Sequence, residues 1–277
     1  MTADYYEQLL NKFKRNSEEA EAHWDARAEQ FNSRQQMDTG YTDQMISFLL
    51  KKGLVSGGSS VLDIGCGSGR YSIPLARTVQ KVTALDISTK MLDYLKFNAE
   101  NTGLKNIEGL KLDWADLDLK EMDFQNRFDL VFAAMCPGIK SQKSLEKMSQ
   151  ASRNYCLIAQ FIETKDGLAE LIKGVLGSSN NSHDPHNDRN SVYAIFNLLW
   201  LQGLEPEITY LLEKGELDFT VEEALQHYER WLQNASASQK FAVKDMILDI
   251  AEEGMVKVTH HSTLALILWK AAKGSCR

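Results

Sequence analysis

Val61-Leu62-Asp63-Ile64-Gly65-Cys66-Gly67-Ser68-Gly69-Arg70 is the stretch on which the reading of this chain turns. Val61 to Ile64 has the composition of a buried strand, the alternating glycines make a tight turn, and a helix reaching about Arg77 follows. Pro74 must lie in the first turn of that helix or kink it, because proline has no N–H to donate. A strand, a turn and a helix in this order bring unsatisfied helix N-terminal N–H groups to the end of the strand. Gly65, Gly67 and Gly69 let a ligand approach the backbone closely, and glycine also tolerates positive φ. Such a turn suits acceptor atoms and negative charge, a carboxylate for example.

Spacing separates the possible ligands. A dinucleotide fingerprint, G-x-G-x-x-G, would put its third glycine where this chain has Arg70. No G-x-x-x-x-G-K-[ST] occurs, so the phosphates of a nucleoside triphosphate are not supported. Asp86 closes the next strand about twenty residues further on, where a carboxylate accepts from both hydroxyls of a ribose. Asp113 ends a third strand and is followed by Trp114. An adenine lying there would donate its amine to Asp113, with Ile87 and Trp114 offering apolar faces to the ring.

Outward from this core the chain alternates short apolar runs with amphipathic segments, the pattern of a parallel sheet covered by helices on both faces. Strands are expected at 61–64, 82–85, 107–112, 128–133, 155–162, 208–212 and 263–269. Ser88 is placed to cap a helix with Met91, Leu92, Leu95 and Ala99 on one face, ended by Gly103. Thr164 is expected to cap a helix burying Leu168, Leu171, Ile172 and Val175, and Asn190 one running through Trp200. Thr220 and Glu223 form a capping box, and a helix with Phe241, Met246, Ile247 and Ile250 follows it. Trp200, Trp231 and Trp269 are assigned to the core. Residues 1–41 read as an N-terminal helical extension and 42–277 as the main domain, with a helical insertion at 214–258. Gly177 to Asn190 is a polar loop.

The 277 residues are 43% hydrophobic and 25% charged, with a mean hydropathy of -0.34. That composition belongs to a globular chain, and no apolar run has membrane-spanning length. Asp4, Glu7 and Lys12 interrupt the opening segment, unlike a signal peptide, so a cytoplasmic location is expected. The four cysteines, Cys66, Cys136, Cys156 and Cys276, form neither a CxxC pair nor a disulfide framework. A net charge of -7 argues against a surface built to neutralise phosphates, so a small-molecule partner is expected rather than nucleic acid or membrane.

In combination VLDIGCGSGR at 61–70, ALDIS at 84–88 with Met91, LDWADL at 112–117 and FDLVFAA at 128–134 resemble the class I S-adenosylmethionine-dependent methyltransferases. The nearest resemblance is to the small-molecule enzymes of the ubiquinone and menaquinone type, over roughly residues 20 to 165 by motif. It implies a doubly wound, mostly parallel α/β sheet of order 3-2-1-4-5-7-6 with the last strand antiparallel. It also implies S-adenosylmethionine as cofactor, its methionine end on the loop of Asp63, Gly65, Cys66, Gly67 and Gly69. Asp86 would hold the ribose and Asp113 the adenine, with Ile87, Met91 and Trp114 also among the cofactor-binding residues. Ala134 would face the transferred methyl group. The segment at 23–31 resembles the helix such enzymes fold over the cofactor, with Trp24 and Phe31 as lid contacts.

Ala133-Ala134-Met135-Cys136-Pro137-Gly138 departs from the acidic or Asn-Pro-Pro-aromatic signature of adenine N-methyltransferases, and Cys136 precedes its proline where cytosine C5 enzymes have Pro-Cys. Cys136 is therefore read as shaping a pocket. His23, His183 and His186 are the candidate bases, none with a partner visible in sequence, and no catalytic residue is assigned. The histidines at 183 and 186 match no zinc spacing, so no metal site is expected. A dehydrogenase on the same scaffold and a non-catalytic cofactor-binding module are the rival readings.

Overall fold

In the computed structural model, residues 1–10, 16–37, 40–177 and 187–271 are described. Four helices, α1 (Ala3–Leu10), α2 (Ser17–Asp25), α3 (Ala28–Met37) and α4 (Gly40–Lys51), precede the first strand. Then come β1 (Ser60–Ile64), α5 (Ser72–Ala76), β2 (Lys81–Asp86), α6 (Thr89–Asn101), β3 (Ile107–Lys111), β4 (Phe128–Ala134), α7 (Gln142–Ala151) and β5 (Ser152–Asp166). The remainder is α8 (Gly167–Leu176), α9 (Arg189–Leu201), β6 (Glu207–Thr220), α10 (Val221–His227), α11 (Glu229–Leu232), α12 (Ala237–Ile250) and β7 (Met255–Lys270). The strands form one sheet of order β3-β2-β1-β4-β5-β7-β6, and its last strand is antiparallel.

The register of the parallel strands positions the site. Ile64 pairs with Leu85, Asp86 with Lys111, and Ala134 with Ala159. The carboxyl ends of β1 to β4 are thus level to within about a residue, and neighbouring strand ends stand about 5 Å apart. Leu62, Ile64, Leu85, Leu130, Val131 and Phe132 are fully buried because both sheet faces are covered, which is why these strands read as unbroken apolar runs. Pro74 falls in the first turn of α5, where its missing N–H costs nothing. Ser88 caps α6 by accepting from the Met91 N–H, and Met91, Leu95 and Ala99 are its buried face.

The chain divides into two compact units. The first runs from Met1 to Gln160 and takes up Arg189–Leu211 and the chain from Ala265 onward; the second is Phe161–Asp188 with Leu212–Leu264. β5, β6 and β7 each pass from one unit into the other, and all three outrun their apolar patterns. Of the expected helical insertion at 214–258, residues up to Thr220 continue β6 and those from Met255 belong to β7. The exposed alternation Lys214, Glu216, Asp218 hid that extension, since polar residues on a strand face read as loop. The second unit has its own core, with Leu168, Ile172, Tyr228, Val243, Ile247 and Val258 at its centre.

Other expectations also need correcting. The boundary drawn after residue 41 falls inside α4. Asp166, not Thr164, caps α8, accepting from the Ala169 N–H. Asn190 lies within α9 rather than capping it. Leu171 and Trp200 are exposed, Trp200 stacking on Phe196 instead of entering the core; Trp269 is buried as expected. The histidines at 183 and 186, the cysteine at 276 and most of the polar loop lie outside the described residues. Among the described residues no helix is long and apolar enough to cross a membrane.

Candidate active site

The turn after β1 is tied to β2 before any ligand is considered. The N–H groups of Gly65 and Cys66 both donate to the Leu85 carbonyl, at 2.8 and 2.9 Å. Gly65, Gly67 and Gly69 have φ of +71°, +55° and +99°, the left-handed region. At Gly65 space is short too: a Cβ there would lie 2.6 Å from the Cys136 Sγ. At Gly69 it would lie 2.6 Å from Leu95 of α6, so this glycine is needed to pack the turn against that helix.

Asp86 is joined to this turn. Its carboxylate accepts from the Gly67 N–H at 2.9 Å and from the Ser88 N–H at 2.8 Å, one on each oxygen. Burial pushes its pKa above the ordinary carboxylate value, while the N–H groups of Ser88, Gly67 and Ile87 oppose that rise. Asp63 stands behind the turn, 1% exposed, accepting from Ser72 Oγ at 2.6 Å. Burial pushes this carboxyl up to about 7, against the Ser72 bond and with the help of the Asp86 charge. Asp63 is placed to brace the turn on α5.

One strand over, Asp113 Oδ1 accepts from the Ala115 N–H at 2.8 Å and Oδ2 from Ser17 Oγ at 2.6 Å. Trp114 is buried, its indole N–H directed to the Ser144 carbonyl. Ile87 is half-buried between Asp86 and the α6 cap, and Met91 is buried on α6. On the other side of β1, Ala134 ends β4, and Met135 follows with φ +49° and its N–H on the Ala159 carbonyl. Cys136 packs its sulfur toward Gly65, and burial raises its thiol to about 12. Burial likewise holds the Cys66 thiol well above its ordinary value. Both thiols are protonated near neutral pH, which makes them poor nucleophiles.

The sequence reading missed the contacts that α2 and α3 make with this edge. Glu21 pairs with Lys111 at 2.6 Å and accepts from Thr89. Asp25 accepts from Ser88 Oγ at 2.5 Å and from the Lys90 N–H at 3.1 Å, sitting on the N-terminus of α6. Asn98 of α6 donates to the Ser68 carbonyl of the turn and to Asn32 of α3. The capping pair Asn16 and Glu19 was a legible signal for the start of α2. Nothing local to that helix says which strand ends it covers. Trp24 and Phe31 meet edge to face at 5.4 Å between ring centroids. His23 Nδ1 lies 2.6 Å from the Arg27 guanidinium, which only donates, so that nitrogen is an acceptor and carries no proton. Among the described residues no group of three or more His, Cys, Asp and Glu could hold a metal ion.

Residues 61–155, the glycine turn with the strands and loops that carry both aspartates, match the family model described as a methyltransferase domain. By that match residues 61–155 are similar to a methyltransferase domain. As a fold, the chain resembles a Bacillus halodurans C-125 protein assigned as a methyltransferase, with TM-score 0.50 and 17% identity over 81% of this chain and 97% of that one. In sequence it is 35% identical over 77 residues to a ubiquinone biosynthesis O-methyltransferase of Bradyrhizobium diazoefficiens, 28% of each chain. It is 34% identical over 73 residues to a 23S rRNA uracil-C(5)-methyltransferase of Xylella fastidiosa, 26% of this chain and 16% of that one. The chain therefore spans less than a third of the length of either relative.

Proposed function

We propose that this chain transfers the methyl group of S-adenosylmethionine to a small-molecule acceptor in the cytoplasm. The observation that carries the reading is the junction of Asp86 with the glycine turn through the Gly67 N–H, with Asp113 one strand further along the same edge. The donor set fits the cofactor part by part. A carboxylate has about four acceptor sites, so Asp86, held by the N–H groups around it, retains capacity for a ribose hydroxyl. Asp113 offers an acceptor to a purine amine.

Bound there, S-adenosylmethionine supplies an electrophilic methyl group on sulfur. The protein's share is then orientation: holding the acceptor in line with that carbon and excluding water. Ala134 to Gly138 is the segment we assign to the acceptor side, with Cys136 filling space and not attacking. By their names one relative is an O-methyltransferase of ubiquinone biosynthesis and the other methylates a uracil of 23S ribosomal RNA at C(5). We favour a small molecule because the net charge of -7 opposes a polyanion. Titration calorimetry with S-adenosylhomocysteine tests cofactor binding, and release of S-adenosylhomocysteine across an acceptor panel tests transfer. No heat with either form of the cofactor would sink the proposal.

A further inference from the structure

The loop after β3 is gripped from outside by one lysine. Lys147 of α7 directs its Nζ to the carbonyls of Trp114 at 2.7 Å, Ala115 at 3.1 Å and Leu117 at 2.8 Å. An ammonium has three donors and accepts nothing, so all its hydrogen-bonding capacity goes to one turn of backbone. Lys147 is 8% exposed, rare for a lysine, and its Nζ stands 5.3 Å from the centre of the Trp114 ring. Ser144, one turn earlier on α7, takes the Trp114 indole N–H. Burial first, then the Lys143 charge, lower the pKa of this ammonium, and the charges of Asp116, Asp113 and Asp118 oppose that fall.

The gripped turn begins at Asp113. Its main-chain carbonyl accepts from the N–H groups of Asp116 and Leu117, and its Oδ1 from Ala115. The three carbonyls on Lys147 belong to the residues just after it, so the direction of the Asp113 carboxylate depends on how that turn is held. We infer that Lys147 is a positioning residue for base recognition, holding Asp113 at the angle that selects a 6-amino over a 6-oxo purine. This rests on the reading that Asp113 meets the adenine.

The test compares S-adenosylhomocysteine with S-inosylhomocysteine, whose 6-oxo group replaces the 6-amino donor with an acceptor and puts a proton on the neighbouring N1. Dissociation constants and Tm are measured for the parent chain, Lys147→Met, Lys147→Arg and Asp113→Ala. The parent should prefer the amino compound by about tenfold or more, the yield of one hydrogen bond to a charged acceptor. Lys147→Met should bring the preference within about threefold, mainly through weaker binding of the amino compound. Lys147→Arg, with a planar fork in place of a tetrahedral ammonium, should fall between. A preference retained by Lys147→Met alongside a lowered Tm would show a merely structural lysine and overturn the inference. If that variant does not fold, the preference of Lys147→Arg decides in the same way. Should the parent bind both compounds equally, or Asp113→Ala keep the preference, the inference fails while cofactor binding stands. Binding of neither compound by the parent would remove the cofactor reading and the inference together.

Discussion

At the scale of single residues, three residues that meet at the glycine turn do different work. Asp86 is the one we assign to the ligand: Asp86→Ala should weaken S-adenosylhomocysteine binding by roughly 2–4 kcal/mol, about thirtyfold or more, as read by calorimetry. Asp63 is a brace with a titration of its own. Between the ordinary carboxylate value of 3.8 and about 7 the folded chain keeps a proton there that the unfolded chain has lost. Stability on this account falls as pH rises through that window and levels off above it. Asp63→Asn, which can still accept from Ser72, should remove the slope and unfold at higher denaturant than the parent at about pH 8. Gly65 is constrained twice, by φ of +71° and by the Cys136 sulfur. Gly65→Ala should cost about 1–3 kcal/mol in denaturant unfolding, with part of it returned by adding Cys136→Ala.

At the scale of elements, α2 is held to the strand ends by polar contacts more than by burial: none of its residues is buried. Ser17, Glu21 and Asp25 touch β3, α6 and the loop after β3 at successive turns of one helix face. Ser88 is the hinge of this arrangement because its hydroxyl both caps α6 and donates to Asp25. Ser88→Ala should therefore lower stability by about 1 kcal/mol, the ordinary worth of an N-cap, and also speed amide exchange over 17–25. Asp25→Ala should show the second effect with little of the first. For Asp25, burial favours the neutral acid, but the bonds from Ser88 and Lys90 outweigh it and the pKa is lowered. The clasp is thus intact above the ordinary carboxylate value and loosens only as pH falls through the lowered one.

At the scale of the molecule, the two compact units divide labour. Every residue we assign to the cofactor lies in the first, and the second buries its own cluster around Ile172, Val243 and Ile247. Ile247→Ala removes a fully buried side chain and should cost roughly 2–5 kcal/mol of the second unit's stability. The same variant should leave the S-adenosylhomocysteine dissociation constant within about twofold. A loss of binding in parallel with stability would show that the units do not act separately.

The chain of residues 61–134 could be read without coordinates because its information is local: apolar runs of strand length, glycines where φ is positive, and aspartates at strand ends. Strand order followed from resemblance to a family, and the sheet has that order. The lengths of β5, β6 and β7 were not legible, because strand faces bearing Lys214, Glu216 and Asp218 carry no apolar alternation. Nor was the exposure of Trp200 and Leu171, since an aromatic or leucine at helical spacing reads as core until its neighbours are known. Lys147, Ser17 and Asp25 were invisible for a deeper reason. Lys147 reaches carbonyls some thirty residues away, and Ser17 and Asp25 reach partners still more distant in sequence. Local pattern records what one segment needs to bury or cap, whereas a hydrogen bond between distant segments exists only once packing has brought them together.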